Sequence, residues 1–231
     1  MKTHNFLHRI FLILATVWFS VSGIALAAPG IVVTGVADNG THAFGDVQVG
    51  TSETMTFTVT NNGDAALTFS GINITGPEAG QFSFNNPSGP VAVNGTATFT
   101  VTFTPTSTGN KSAALTLGNN APGALSPYNI SLTGTGTQPD IVIAEVAEGN
   151  TSAFGTMQWG GTPIVKTYTI TNTGTAPLTL NTPLIGGANG SEFVATTPAS
   201  PVAPGGNSSF TVTFTASSRG NKTATLDLPN N

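Results

Sequence analysis

The stretch Phe99-Thr-Val-Thr-Phe-Thr104 decides the fold, because it predicts a β-strand with one buried face. Apolar and polar residues alternate at every position, and the side chains of a strand point alternately to opposite faces of a sheet. We therefore expect Phe99, Val101 and Phe103 to face a core, with the threonines on the solvent side. The same six letters return at residues 210–215. Two copies of one strand predict two copies of one domain.

The rest of the sequence repeats at nearly the same spacing, which predicts a tandem duplication. The boundaries that follow are a signal peptide at 1–27, a first domain at 28–138 and a second at 139–231. The stretch 133–137, Thr-Gly-Thr-Gly-Thr, is interpreted as a short flexible linker. The matched segments are 31–37 with 141–147, 43–45 with 153–155, 57–61 with 168–172, Phe82 with Phe193, and 109–111 with 220–222.

Each repeat predicts many short strands and leaves little room for a helix. About seven strands in roughly 100 residues, separated by turn residues, are typical of an immunoglobulin-like β-sandwich. We expect an all-β protein of two tandem sandwiches. In the first repeat the predicted strands are 31–36, 54–60, 67–74, 81–84, 96–104, 112–117 and 128–133.

The first residues predict export rather than a part of the fold. Lys2 and Arg9 give a positive start, residues 10–19 are almost wholly apolar, and Ala25-Leu26-Ala27 offers small residues for cleavage after Ala27. The apolar run is short for a membrane span. We expect a secreted, extracellular or cell-surface protein, with the periplasm as another possible location, and no membrane span after cleavage.

Composition excludes several kinds of function. Charged residues make up 7% of the chain, where about a quarter is typical. Removing Lys2 and Arg9 leaves four of six cations against ten acids, a net charge of −6. The absence of a basic patch makes nucleic acid an improbable partner. With no cysteine in the sequence, disulfides, thiolate metal sites and a cysteine nucleophile are excluded.

Few residues could carry chemistry, and we predict no catalytic, cofactor-binding or metal site. After leader removal the only histidine is His42, so a histidine-based triad could be centred only there, and His42 is interpreted as a loop-edge residue. A calcium site is conceivable around Asp38-Asn39-Gly40 and Asp46, because loop oxygens suit a hard cation. Asp46 corresponds to Thr156 in the second repeat, however, so these acids are interpreted as plain turn residues.

The first repeat contains a set of motifs that resemble a known family. The motifs are Phe44-Gly45, Phe57-Thr-Val-Thr-Asn-Asn-Gly63, Phe82, Phe99-Thr-Val-Thr-Phe-Thr-Pro105 and Ile130-Ser-Leu-Thr-Gly-Thr-Gly136. This set is similar to the choice-of-anchor D repeat, which belongs with the ASPM/SPD-2/Hydin (ASH) and major-sperm-protein-like (MSP) sandwiches. The resemblance implies a spacer, adhesion or assembly module, and it brings no catalytic residues.

The second repeat is expected to lack its last strand. It stops at Asn230-Asn231, the counterpart of Asn119-Asn120, and nothing in it matches residues 128–136. A partial reading frame is one explanation. The other is a partner chain that donates the strand. An open sheet edge is prone to aggregation in either case.

Three functions stay open from the sequence. The first is a secreted, non-enzymatic spacer or adhesion module, whose partner is a protein, a surface or further repeats. The second is an accessory, non-catalytic part of a larger secreted enzyme. The third is a glycan-binding module, for which Trp159 would be the only tryptophan after leader removal. Its counterpart Val49 favours packing in a core or an interface instead.

Overall fold

A computed structural model describes residues 26–231, and within them the chain is all-β. The predicted leader lies almost wholly outside the described residues and stays a prediction. The described residues form fourteen strands and three short 3-10 turns. None of their helices is long and apolar enough to cross a membrane.

The first repeat is a sandwich of two four-stranded sheets. One sheet has the order β1-β3-β6-β5 and the other β2-β8-β7-β4. All neighbouring strands are antiparallel except β2 and β8, which are parallel. The strands are β1 Val32–Val33, β2 Gly40–Gln48, β3 Glu53–Thr60, β4 Phe69–Thr75, β5 Phe82–Asn85, β6 Thr96–Phe103, β7 Gly109–Asn119 and β8 Tyr128–Thr137.

The core between these sheets confirms the predicted alternation. Phe99, Val101 and Phe103 of β6 are buried. Phe99 stacks on Phe57 of β3, and Phe103 stacks on Phe82 of β5, each with ring centroids 4.9 Å apart. From the opposite sheet, β8 contributes Tyr128, Ile130 and Leu132. Burying such side chains is the main stabilising term of a sandwich this small.

Two sequence interpretations of the first repeat are wrong. Strand β2 was not predicted, because its apolar Phe44 and Val47 are three residues apart. The register against β8 shifts between Ala43 and Asp46, and Gly45 has a φ of 73°, so a bulge interrupts the alternation. The stretch 133–137 is the second half of β8 and not a linker.

The glycines of β8 serve close packing rather than flexibility. A Cβ at Gly134 would lie 2.5 Å from Cε1 of Phe103, and one at Gly136 would lie 2.1 Å from the carbonyl oxygen of Ser107. Side chains cannot fit at either position. Glycine lets the strand approach the facing sheet at this point.

The second repeat rebuilds one sheet fully and the other only in part. The sheet β12-β13-β10-β9 corresponds to β5-β6-β3-β1, and Tyr168 faces Phe210 as Phe57 faces Phe99. The other sheet consists of β11 and β14 alone. The strands are β9 Ile141–Ile143, β10 Ile164–Asn172, β11 Leu184–Gly186, β12 Phe193–Ala195, β13 Asn207–Phe214 and β14 Thr225–Asp227.

The missing last strand of the second repeat is therefore confirmed for the described residues. Two hydrophobic clusters exist, one built from residues 31–132 and one from residues 168–228. The boundary at residues 138 and 139 itself stays a prediction.

Candidate functional site

The buried polar side chains that recur in both repeats form hydrogen bonds to groups of their own repeat, chiefly backbone groups. Asn61 is fully buried; its Nδ2 donates to the carbonyl oxygens of Ala65 and Val91, and its Oδ1 accepts from the amides of Gly30 and Gly63, at 2.7 to 3.1 Å. All four hydrogen-bonding positions of this amide are thereby used.

Asn172 repeats the arrangement in the second repeat. It donates to the carbonyl oxygens of Ala176 and Val202 and accepts from the amides of Asp140 and Gly174. The sequence Asn61-Asn62-Gly63-Asp64 predicts a turn, because asparagine and glycine tolerate positive φ. An asparagine at the same strand end of both repeats was the signal for a buried role.

The candidate catalytic histidine lies against two aromatic rings. His42 is in β2 rather than at a loop edge, and its ring meets Phe44 and Phe57 edge-on at 4.8 and 5.2 Å between centroids. Burial lowers the pKa of His42 below the ordinary 6.5. These aromatic contacts orient the ring by packing.

The candidate calcium ligands are not brought together. Asp38 Oδ1 accepts from the backbone amide of Asn129 at 2.7 Å, and its Oδ2 accepts from the side chain of Asn39. Asp46 lies in β2 opposite Thr135. Within residues 26–231, no group of three or more histidines, aspartates and glutamates is placed to hold a metal ion. Asp38 instead ties its turn to the start of β8.

One buried ion pair distinguishes the repeats. Lys222 donates to Glu192 Oε1 at 2.6 Å, and Ser217 Oγ donates to the same oxygen at 2.7 Å. The hydrogen bond from Lys222 lowers the pKa of Glu192 below its ordinary 4.5. In the first repeat the counterpart Lys111 is also buried, and it donates to Ser107 and to the carbonyl oxygen of Thr108.

Trp159 is a surface residue, so packing in a core is wrong for this side chain, and packing in an interface stays a prediction. It is 66% exposed, in a turn beside Gly160. Its counterpart Val49 is itself only half-buried, so that valine does not mark a core position. An exposed indole offers a flat apolar face to a ligand.

The main open feature is the incomplete sheet of the second repeat. We call β11, β14 and residues 150–158 and 220–224 the open sheet. In the first repeat, β7 spans eleven residues and pairs with β4 and β8. Its counterpart keeps a strand only at residues 225–227, where β11 pairs with it. Residues 220–224 have lost the strand conformation.

Residues 150–158 also lack the strand conformation of their counterpart in the first repeat. Their counterpart β2 pairs only with β8, in parallel. None of these residues is in a strand in the second repeat. In the described part of the second repeat, the two segments that flank the place of β8 are thus without regular strand structure.

The fold is that of an Ig-like sandwich, and a family model assigns it more closely. Residues 37–135 match the HYDIN/CFA65/VesB-like, Ig-like domain. The match covers less than half of the chain, and the first repeat is consistent with an ASH/MSP-like Ig-like domain. Ig-like domains of this kind are generally non-catalytic. No curated protein matches the chain.

Solved structures with similar folds come from diverse sources. The ASH/PapD-like domain of human CEP192 is 12% identical, with 58% of this chain and 97% of that chain covered and a TM-score of 0.35. WR4, a C. elegans MSP family member, is 14% identical, covers 46% and 96%, and has a TM-score of 0.31.

The secreted serine protease VesC from Vibrio cholerae is 12% identical, with a TM-score of 0.34. The match covers 82% of this chain and 49% of VesC, so the chain spans about half the length of that protein. The family assignment rests on residues 37–135 alone.

Proposed function

We propose that the protein is a secreted, non-enzymatic module that serves as a spacer or an adhesive segment outside the cell. The observation that carries this proposal is the use of the recurring polar side chains. Asn61, Asn172, Lys111 and Lys222 bind backbone and side-chain groups of their own repeat. A repeat of this kind can act as a spacer and offer its outer surface for adhesion, while its buried polar groups stabilise the fold.

Cell fractionation tests the cellular location, and an adhesion assay tests the role. We expect the chain, expressed in a bacterium with its leader, to leave the cytoplasm and to begin at Ala28 on N-terminal sequencing. Beads coated with the purified protein should adhere to a surface or cell type that beads coated with serum albumin do not bind. Retention in the cytoplasm with an intact N-terminus would contradict secretion, and a hydrolytic activity that purifies with the chain would contradict a non-enzymatic role.

An accessory glycan-binding role in a larger secreted enzyme is the second candidate. The exposed Trp159 favours it, because sugar rings stack on flat aromatic faces. We expect a Trp159→Ala variant to lose binding on a glycan array. A Val165→Ala variant is the matched control, since Val165 is also more than half exposed and belongs to the same repeat. Equal glycan binding by both variants and the wild type would contradict this role for Trp159.

A further inference from the structure

Residues 28–30, which open the first repeat, lie directly against the turn at residues 61–65. We call residues 61–65 the entry turn. The backbone amide of Asp64 donates to the carbonyl oxygen of Ala28 at 3.0 Å. A Cβ at Gly63 would lie only 2.4 Å from that same oxygen, so the two backbones are in close contact. The first residues after the predicted cleavage site therefore have a fixed place on the first repeat.

The backbone nitrogen of Ala28 has a carboxylate as its partner. It donates to Asp64 Oδ1 at 2.6 Å, and Asp64 is an exposed residue. A peptide N–H has one proton to donate and carries no net charge. A carboxylate carries a full negative charge and has about four acceptor positions. Asp64 thus offers more than an internal peptide bond at Ala28 can use.

The second repeat has the same contact without the charge. The backbone amide of Gln138 donates to Thr175 Oγ1 at 3.1 Å, and the amide of Thr175 donates to the carbonyl oxygen of Gln138 at 2.7 Å. Gln138 follows Thr137, the last residue of β8, so its nitrogen belongs to a peptide bond. A hydroxyl is a sufficient acceptor for that neutral donor. The carboxylate is found in the repeat where the sequence predicts a free N-terminus.

We propose that Asp64 binds the α-ammonium group of Ala28 that forms when the leader is removed. Hydrolysis of the peptide bond between Ala27 and Ala28 consumes one water molecule, and it leaves a carboxylate on Ala27 and an amine on Ala28. This amine is mostly protonated at neutral pH, because the usual pKa of an α-amine is about 7.7–8.0. The proposal rests on the proposed export, since the uncleaved chain has no amine at this position.

Leader removal thereby strengthens a contact that already exists. The hydrogen bond to Asp64 Oδ1 becomes an ion pair, and charge-assisted hydrogen bonds are roughly twice as strong as neutral ones. The new charge attaches residues 28–30 more firmly to the entry turn. The mature first repeat is therefore more stable than the same repeat inside the precursor.

Two forms of the protein test the ion pair without relying on export. One begins at Ala28, released in vitro from a fusion by a protease that cuts directly before this residue. The other carries the extension Gly-Ser-Gly-Ser before Ala28. We expect the unfolding equilibrium constant of the first repeat to be about two- to fivefold lower for the form that begins at Ala28, as for other exposed ion pairs. Hydrogen exchange at the amide of Asp64 should slow, and about 1 M sodium chloride should remove most of the difference.

Variants separate the charge from the hydrogen bond. Asp64→Thr supplies the hydroxyl of the second repeat, so it should lose the gain that the free amine gives. Asp46→Asn is the matched control, because Asp46 is an exposed carboxylate elsewhere in the first repeat, and it should keep the full gain. Equal stability of the two forms, or a gain that persists in Asp64→Thr, would overturn the proposal.

The location of the cut gives a separate outcome. N-terminal sequencing that finds a first residue other than Ala28 in the exported protein would overturn the role of Asp64, while export itself would stand. A chain that stays in the cytoplasm would contradict export, and the comparison of the two forms in vitro would still decide whether Asp64 binds the amine.

Discussion

Replacing Asn61 by alanine should destabilise the first repeat strongly, although the residue touches no ligand. The side chain makes four hydrogen bonds to backbone groups and is fully buried. Each bond is worth about 1 kcal/mol net, and a backbone group left unsatisfied costs more. We expect a loss of about 4 kcal/mol in the free energy of unfolding. A domain of this size has about 5–15 kcal/mol in total.

Urea unfolding followed by circular dichroism measures this loss, and hydrogen exchange at β3 and β6 assigns it to the first repeat. Asn62→Ala is the matched control, because Asn62 is exposed and adjacent. That variant should stay within about 0.5 kcal/mol of the wild type. If Asn61→Ala lost less than about 1 kcal/mol, the buried asparagine would not hold the backbone as inferred.

Three further measurements test other parts of the molecule. A Gly134→Ala variant should lose about 1–3 kcal/mol in the free energy of unfolding, because the Cβ of the alanine would meet the ring of Phe103. The control Gly80→Ala should be nearly neutral, because the space around Gly80 is open. Equal stabilities of the two variants would contradict close packing at β8. Because the folded pKa of Glu192 lies below 4.5, its ion pair stabilises the second repeat fully above pH 4.5, and this stability is lost as the pH falls toward the folded pKa. Thermal unfolding between about pH 3 and pH 6 should show this loss, and a Glu192→Gln variant should not show it. By NMR after leader removal, the His42 imidazole should titrate below pH 6.5; a midpoint above that value would refute its burial against Phe44 and Phe57.

The strands that alternate regularly could be predicted from the sequence. The two copies of the Phe-Thr-Val-Thr-Phe-Thr stretch became β6 and β13, and their inward residues lie in the two cores. Alternation was informative there because these central strands have one core face and one solvent face. The missing last strand of the second repeat was also evident, since the repeat itself supplied the template.

Features that depend on a partner strand could not be predicted in this way. Strand β2 has a bulge and no simple alternation, and only its pairing with β8 makes it a strand. The glycine-rich residues 133–137 resemble a linker in sequence. Glycine is required in this stretch because the ring of Phe103, which is distant in sequence, leaves no room for a side chain at residue 134. The turn that holds Trp159 repeats the one that holds Val49, with the same hydrogen bond from residue 51 or 161 back to Gln48 or Gln158, so the repeat pattern did not indicate the exposure of the tryptophan. For β2 and for the glycines of β8, the deciding contact is remote along the chain.

The parallel pairing of β2 with β8 joins residues such as Gly40 and Ile130 that are far apart in sequence. The strand that arrives last from the ribosome occupies an inner place of its sheet, with earlier strands on both sides. Until the chain has been synthesised to residue 137, β2 has no partner strand, and the sheet that contains it is incomplete in the nascent domain. Long-range closure of this kind slows folding. Assembly of the first repeat is thus timed by its final dozen or so residues.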